Sequence, residues 1–178
     1  MIETERLTLR NWRPEDVVAF DKYTNTENVM RWLGGVRTRE ALEAVVQDRF
    51  ITWQERLGHT FWVVERKSDG AFLGFCGLKI ADDGGSPVDG NVEVGWRFRE
   101  DVWGQGYAKE AAAASLDFAF DIMGVRQVIA LTVEGNEASW GLMERLGMTR
   151  RPDLDYVGPE WAEGIVIVYV IRREEWRS

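Results

Sequence analysis

Val102-Trp103-Gly104-Gln105-Gly106-Tyr107-Ala108 joins a strand-like run to a helix-like run, and its reading decides the fold. Two glycines one residue apart let the backbone turn successive N–H groups toward one point. The helix that follows adds N–H groups with no internal partner and the positive end of its dipole. Together they form a nest for a diphosphate. A Gly-x-Gly pair alone more often marks a tight turn, so the flanking elements carry the weight. Lys109 stands where a dinucleotide fold would place its third glycine, and no Gly-Lys-Ser/Thr is present. Neither a dinucleotide site nor a triphosphatase loop is implied.

Upstream of the nest, residues 91–98 alternate as a strand, with Val92, Val94, Trp96 and Phe98 on one face and Glu93, Gly95 and Arg97 on the other. Gly95 signals either a bulge that frees a backbone N–H or room for a neighbouring aromatic ring. Downstream, Ala108, Ala111, Ala112, Leu116, Ala119 and Ile122 form one helical stripe, closed by Gly124. Residues 127–133 read as a buried strand, and Asn136 caps the next helix, with Ser139 on its first turn. Residues 148–157 and 165–171 read as two closing strands.

Before the nest, residues 6–10 alternate as a strand, and Pro14 opens a helix running to about Tyr23. Thr38 caps a longer helix whose apolar positions run from Leu42 to Leu57. Residues 60–66 and 71–81 form a hairpin around Ser68-Asp69-Gly70, and residues 82–89 form a loop. Helices between strands require parallel pairing there, and hairpins require antiparallel pairing elsewhere. The fold class is therefore α/β (α+β): a mixed sheet with helices on both faces.

The chain has 178 residues, enough for one domain over 1–178. No apolar run approaches the ~20 residues of a membrane span, and no signal-peptide pattern opens the chain. Cys76 is the sole cysteine, which excludes an intrachain disulfide and points to the cytoplasm. A net charge of −8 argues against nucleic acid and suits a cationic substrate such as an amine. His59, the only histidine, reads as an ordinary loop or strand-start residue and leaves no basis for a His-based metal site or triad. No metal is expected. The aromatic residues Trp32, Trp53, Trp140 and Trp161 are candidates for a cleft wall, with Trp53 read as core filler.

Taken in order, these motifs resemble the GNAT acyl-CoA N-acyltransferase superfamily. Within it they are similar to the branch containing bacterial ribosomal-protein N-terminal acetyltransferases. The resemblance covers essentially the whole chain. It rests on residues 4–10, on Glu93-Val94-Gly95-Trp96, and on Trp103-Gly104-Gln105-Gly106-Tyr107-Ala108-Lys109-Glu110-Ala111. It continues through Asn136-Glu137-Ala138-Ser139, Leu146-Gly147-Met148, Tyr169 and Arg173-Glu174-Glu175-Trp176. It implies a mostly antiparallel seven-stranded sheet whose central parallel pair splays to admit acyl-CoA. Backbone N–H groups from Trp103 through Gly104, Gln105, Gly106 and Tyr107 to Ala108 would hold the diphosphate of acetyl-CoA. The backbone of Trp96, Arg97 and Phe98 would pair with pantetheine, Asn136 would hydrogen-bond it, and Ser139 would protonate the leaving thiolate. Two departures are visible. Asp101 stands where the superfamily often has Gln or Arg, and Val166 lies near a position that is often His, so a His-assisted mechanism is not available.

The implied reaction is acetyl transfer to a primary amine by direct attack on the thioester. An amine is largely protonated at neutral pH (α-amine ~8, lysine ~10), so a base is needed. Glu93, Glu160 and Glu163 are the candidates, and a strand N–H near Gly95 is the oxyanion donor. The acceptor is a protein N-terminus or a small amine, with an aminoglycoside or polyamine as the alternative within catalysis. A silent acyl-CoA sensor is the alternative outside it. A homodimer is compatible with the branch, where dimers are common.

Overall fold

The computed structural model describes residues 1–159, 162 and 164–176. Its strands are β1 (Ile2–Glu3), β2 (Leu7–Arg10), β3 (Phe61–Arg66), β4 (Ala71–Ile80), β5 (Val92–Phe98), β6 (Gln127–Val133), β7 (Thr149–Arg150), β8 (Tyr156–Val157) and β9 (Ile165–Arg172). They form one sheet in the order β1-β2-β3-β4-β5-β6-β9-β7, with β8 paired to β9. Among the described residues only β5 and β6 run parallel, and every other pairing is antiparallel. The sheet is mixed and mostly antiparallel with helices on both faces, as the sequence pattern requires.

Among the described residues nine strands stand where seven were expected. One addition is β1, a two-residue ladder on β2. The other arises because the run 148–157 is not a single strand. Pro152, with fixed φ and no N–H, opens a 3₁₀ turn over Pro152–Leu154 that separates β7 from β8. Arg150 and Asp155 then close the turn with two charged bonds of 2.5 and 2.6 Å.

The helices are α1 (Val17–Thr24), α2 (Glu27–Met30), α3 (Arg39–Ala44), α4 (Thr52–Leu57), α5 (Tyr107–Asp117) and α6 (Glu137–Arg145). Pro14 enters α1 through a 3₁₀ turn, and Thr38 caps α3 by accepting the Ala41 N–H at 3.3 Å. The short α2 is absent from the sequence reading, because a single turn has no periodicity to detect. α3 and α4 are one continuous rod interrupted by a π-helical segment over Val45–Ile51. A second π segment, Phe118–Ile122, extends α5. It widens the turn, so the stripe expected to end on Ile122 instead buries Ala119 and Phe120 and leaves Ile122 72% exposed.

The sheet separates two cores. α5 and α6 cover one face, where Val94, Phe98, Ala111, Leu116 and Met143 pack against Leu7, Leu73 and Leu78. α1, α3 and the π segment cover the other, around Trp12, Phe20, Phe50 and Phe75. His59 is buried beside this arrangement, its Nδ1 3.1 Å from the Leu78 carbonyl, so its part is structural.

Candidate active site

β5 determines the geometry of the site. On one edge it pairs with β4 without interruption, from Ile80↔Val92 to Gly74↔Phe98. On the other it matches β6 at one register position, Glu93↔Ile129. The two parallel strands part beyond that point, and the free edge of Gly95, Trp96 and Arg97 faces the opening. Phe98 contributes less there, because its carbonyl already receives the Trp103 indole N–H at 2.9 Å.

Gly95 has no bulge beside it. A Cβ at this position would lie 2.8 Å from Phe61 Cζ. Of its two readings, room for a ring is the one observed, and Phe61 in turn stacks on Phe75 at 5.2 Å. The β-bulge in this sheet sits elsewhere, between Val64 and Glu65. Any free N–H at Gly95 comes from the divergence of β6, not from a bulge.

At the end of the opening, Gly104 (φ 74°) and Gly106 (φ 82°) both adopt the left-handed conformation that the nest requires. The first bond into α5 is Glu110 N–H to the Gly106 carbonyl, at 3.1 Å. The N–H groups from Gly104 to Ala108 precede it, so helix geometry gives them no acceptor. Trp103 differs from this expectation: its N–H already donates to the Glu100 carbonyl at 3.1 Å, and its side chain is 52% exposed.

A clamp not legible in the motif braces the nest. Glu110 accepts from Thr4 Oγ1 (2.6 Å), Arg6 N–H (2.9 Å) and Arg6 Nε (2.7 Å). Arg6 also donates to the Gln105 carbonyl at 3.0 Å and lies 4.4 Å over the Tyr107 ring. Arg6 and Glu110 are 104 positions apart, beyond any spacing argument.

Asn136 holds the cap position of α6, but its side chain bonds no N–H of the first turn. Its amide and the Ser139 hydroxyl, on that turn, have no side-chain partner among the described residues. Both polar groups remain available to a ligand at the mouth of the splay.

Glu93 lies on the α1 face, at the last position where β5 and β6 still pair. Its carboxylate is buried, and Lys79 Nζ sits 3.3 Å from Oε2 and 2.9 Å from Asp82 Oδ1. Oε2 makes no well-directed hydrogen bond. Burial pushes the Glu93 carboxyl up to about 7, against the pull of Lys79. Burial lowers the Lys79 ammonium, but Glu93 and Asp82 lift it above its usual value. Burial and then Asp83 raise the Tyr156 phenol, whose hydroxyl donates to Asp83 Oδ2. Strand alternation gave the face of Glu93, while its neighbours come from β4, the β4–β5 connection and β8.

The roof over this face is residues 25–38. Thr26 bonds Glu100 at 2.8 Å just past β5, and Trp32 lies over Gly135 just past β6, where a Cβ would meet its ring at 2.7 Å. Trp53 packs with Phe50 and Phe61 in the core, and Trp140 donates to the Glu134 carbonyl at 2.9 Å. Of the described wall candidates, Trp32 is therefore the one that sits beside the end of β6. Glu160, Trp161 and Glu163 lie outside the described residues. Among the described residues no group of His, Cys, Asp or Glu is arranged to hold a metal ion, and no helix is long and apolar enough to cross a membrane.

Comparison with known proteins gives this geometry a family. Residues 6–149 match the acetyltransferase (GNAT) domain. The chain is 30% identical over 179 residues to YnaD, an uncharacterised N-acetyltransferase of Bacillus subtilis, covering 98% of each. A GNAT-family acetyltransferase structure from Bacillus anthracis superposes with a TM-score of 0.80 at 26% identity, covering 98% of this chain and 99% of that one. Spermidine N-acetyltransferase from Vibrio cholerae, solved with CoA and spermine, shares the fold at a TM-score of 0.74 and 18% identity, covering 98% of this chain and 100% of that one. An open parallel pair, a left-handed glycine nest and a matching domain over most of the length converge on one conclusion: the chain belongs to the GNAT family of acetyl-CoA-dependent N-acetyltransferases.

Proposed function

We propose that this acetyltransferase transfers acetyl from acetyl-CoA to a primary amine, with Glu93 as the base. The carrying observation is the position of Glu93: a buried carboxyl, raised to about 7, where β5 and β6 begin to part. A base is most effective when its pKa lies near the working pH. In this reading the N–H groups from Gly104 to Ala108 hold the diphosphate, supported by their lack of an internal acceptor. The free edge at Trp96 and Arg97 pairs with pantetheine, and Asn136 bonds its amide. An N–H of that edge, near Gly95, faces the developing oxyanion.

Two protons leave the ammonium on its way to the amide. Glu93 accepts the first and passes it to solvent, which frees the nitrogen lone pair to attack the thioester carbon. As the C–S bond breaks, Ser139 protonates the thiolate and regains a proton from solvent, while Glu93 takes the second ammonium proton and passes it to solvent. The chemistry accommodates a protein N-terminus, as the branch resemblance implies, or a small amine.

Calorimetric titration of acetyl-CoA, repeated with a pantetheine analogue that lacks the diphosphate, tests the cofactor half. Binding that collapses with the truncated analogue is the expected result, and no binding of acetyl-CoA overturns the proposal. Ser139→Ala tests the leaving-group step: turnover falls while acetyl-CoA affinity holds, and unchanged turnover removes Ser139 from the mechanism.

A further inference from the structure

Arg97 is anomalous among the arginines of this chain. Every other half-buried arginine of the described residues holds a carboxylate, from Arg6 on Glu110 and Arg10 on Asp16 and Glu65 to Arg99 on Asp101 and Arg150 on Asp155. Arg97 is half-buried too, yet its guanidinium makes no ion pair and no hydrogen bond among the described residues, and its Nε is fully buried without a partner. A guanidinium has five N–H donors, and leaving the buried Nε–H unpaired is costly. Its neighbours are two aromatic rings, Phe75 at 5.2 Å and Phe20 at 5.3 Å. Rings offset part of the lost hydration of a cation but accept no directed hydrogen bond. The charge that acts on it is another cation: burial, and then Arg37, pull the Arg97 guanidinium down to about 9. Arg97, with Arg37 of the 25–38 segment as a like-charged neighbour and no carboxylate of its own, marks a place for an anion.

The face of the sheet decides which anion. The glycine nest opens α5, which covers the opposite face of β5 from Arg97. Arg97 shares its face with Glu93, four residues away on the same strand, roughly 13 Å between Cα atoms at strand rise. A base and an unpaired guanidinium thus flank the free edge on the side away from the nest.

We propose that Arg97 binds the carboxylate of the acceptor, so that the substrate carries a primary amine at one end and a carboxylate at the other. The amine meets Glu93 and the carboxylate meets Arg97 in a bidentate pair. This rests on the acetyl-transfer reading above and narrows it from amines in general to aminocarboxylates. It also separates the acceptor from a plain polyamine, which would place a third positive charge beside Arg97 and Arg37.

The test uses calorimetry on the CoA-loaded protein. The probes are ω-aminocarboxylates from glycine to 6-aminohexanoate, the L-α-amino acids, and the primary amide of each. At least one carboxylate is expected to bind roughly tenfold or more tightly than its amide, in keeping with a charge-assisted hydrogen bond. Arg97→Gln should erase that ratio, while Arg97→Lys should retain part of it. Thermal melts show whether each variant folds, and the wild-type ratio stands without them. If CoA binds but carboxylates and amides bind alike, or neither binds, the proposal fails. It fails equally if the ratio survives Arg97→Gln, or if that variant weakens CoA instead, which would assign Arg97 to a cofactor phosphate. Failure of CoA to bind at all would count against the acetyl-transfer reading first.

Discussion

The two faces of β5 are built from alternate residues of one seven-residue strand, and they have little in common. On the α5 side, Val92, Val94 and Phe98 are buried in the larger core and Trp96 packs against it. On the α1 side, a buried acid, a glycine filled by a neighbour's ring and an unpaired guanidinium follow one another. The apolar face holds the strand in place, so the other can carry charges that contribute little to stability. A buried carboxylate near neutral pKa and an arginine with no anion are tolerable only on a backbone fixed by something else.

The strongest way to break this division is to move a charge to the wrong side. Val94→Asp would bury an unpaired carboxylate against α5 and should cost more than ~4 kcal/mol, seen as loss of a cooperative thermal transition. Glu93→Gln acts on the other face. It should leave the fold intact and lower kcat about 10²–10⁴-fold in a thiol-release assay. Its pH behaviour sharpens the contrast. The carboxyl is raised on folding from 4.5 to about 7, so the folded state holds a proton that the unfolded state has released across that window. Stability from this group is complete below pH ~4.5 and declines as pH rises to about 7. Melting temperature across that range should fall in the wild type and fall less in Glu93→Gln. Activity should move the opposite way, with kcat/KM rising through pH 7. The smallest effect belongs to Gly95→Ala, whose methyl would press on Phe61 and should cost about 1–3 kcal/mol.

What could be read from the sequence follows from how local each requirement is. The nest was legible because two left-handed φ angles in five residues require glycine, and both glycines sit inside the motif they serve. The faces of β5 were legible because a strand has period two. The role of Gly95 was not, since Phe61 belongs to another strand. The exposure of Ile122 was hidden because a π turn breaks the 3.6 period on which the stripe was drawn. Asn136 looked like a helix cap because Asn usually is one, and only coordinates show its amide unused there. Pro152 carried a legible signal against a single strand over 148–157. Arg97 stood in the sequence as a backbone contributor, and its unpaired state becomes visible only by contrast with the other arginines.

The clamp of Thr4 and Arg6 on Glu110 has a consequence for the order in which the chain is made. The connection between β1 and β2 leaves the ribosome about a hundred residues before the helix it must brace. During that interval Arg6 has no carboxylate at its final position, and the nest does not yet exist. In the proposed reading, the nest becomes competent for cofactor only when Glu110 closes back on Thr4 and Arg6. Contacts of such long sequence separation slow folding, because loop closure precedes the gain from the contact. If the nest holds the diphosphate as proposed, acetyl-CoA present during refolding would select chains in which this closure has already occurred.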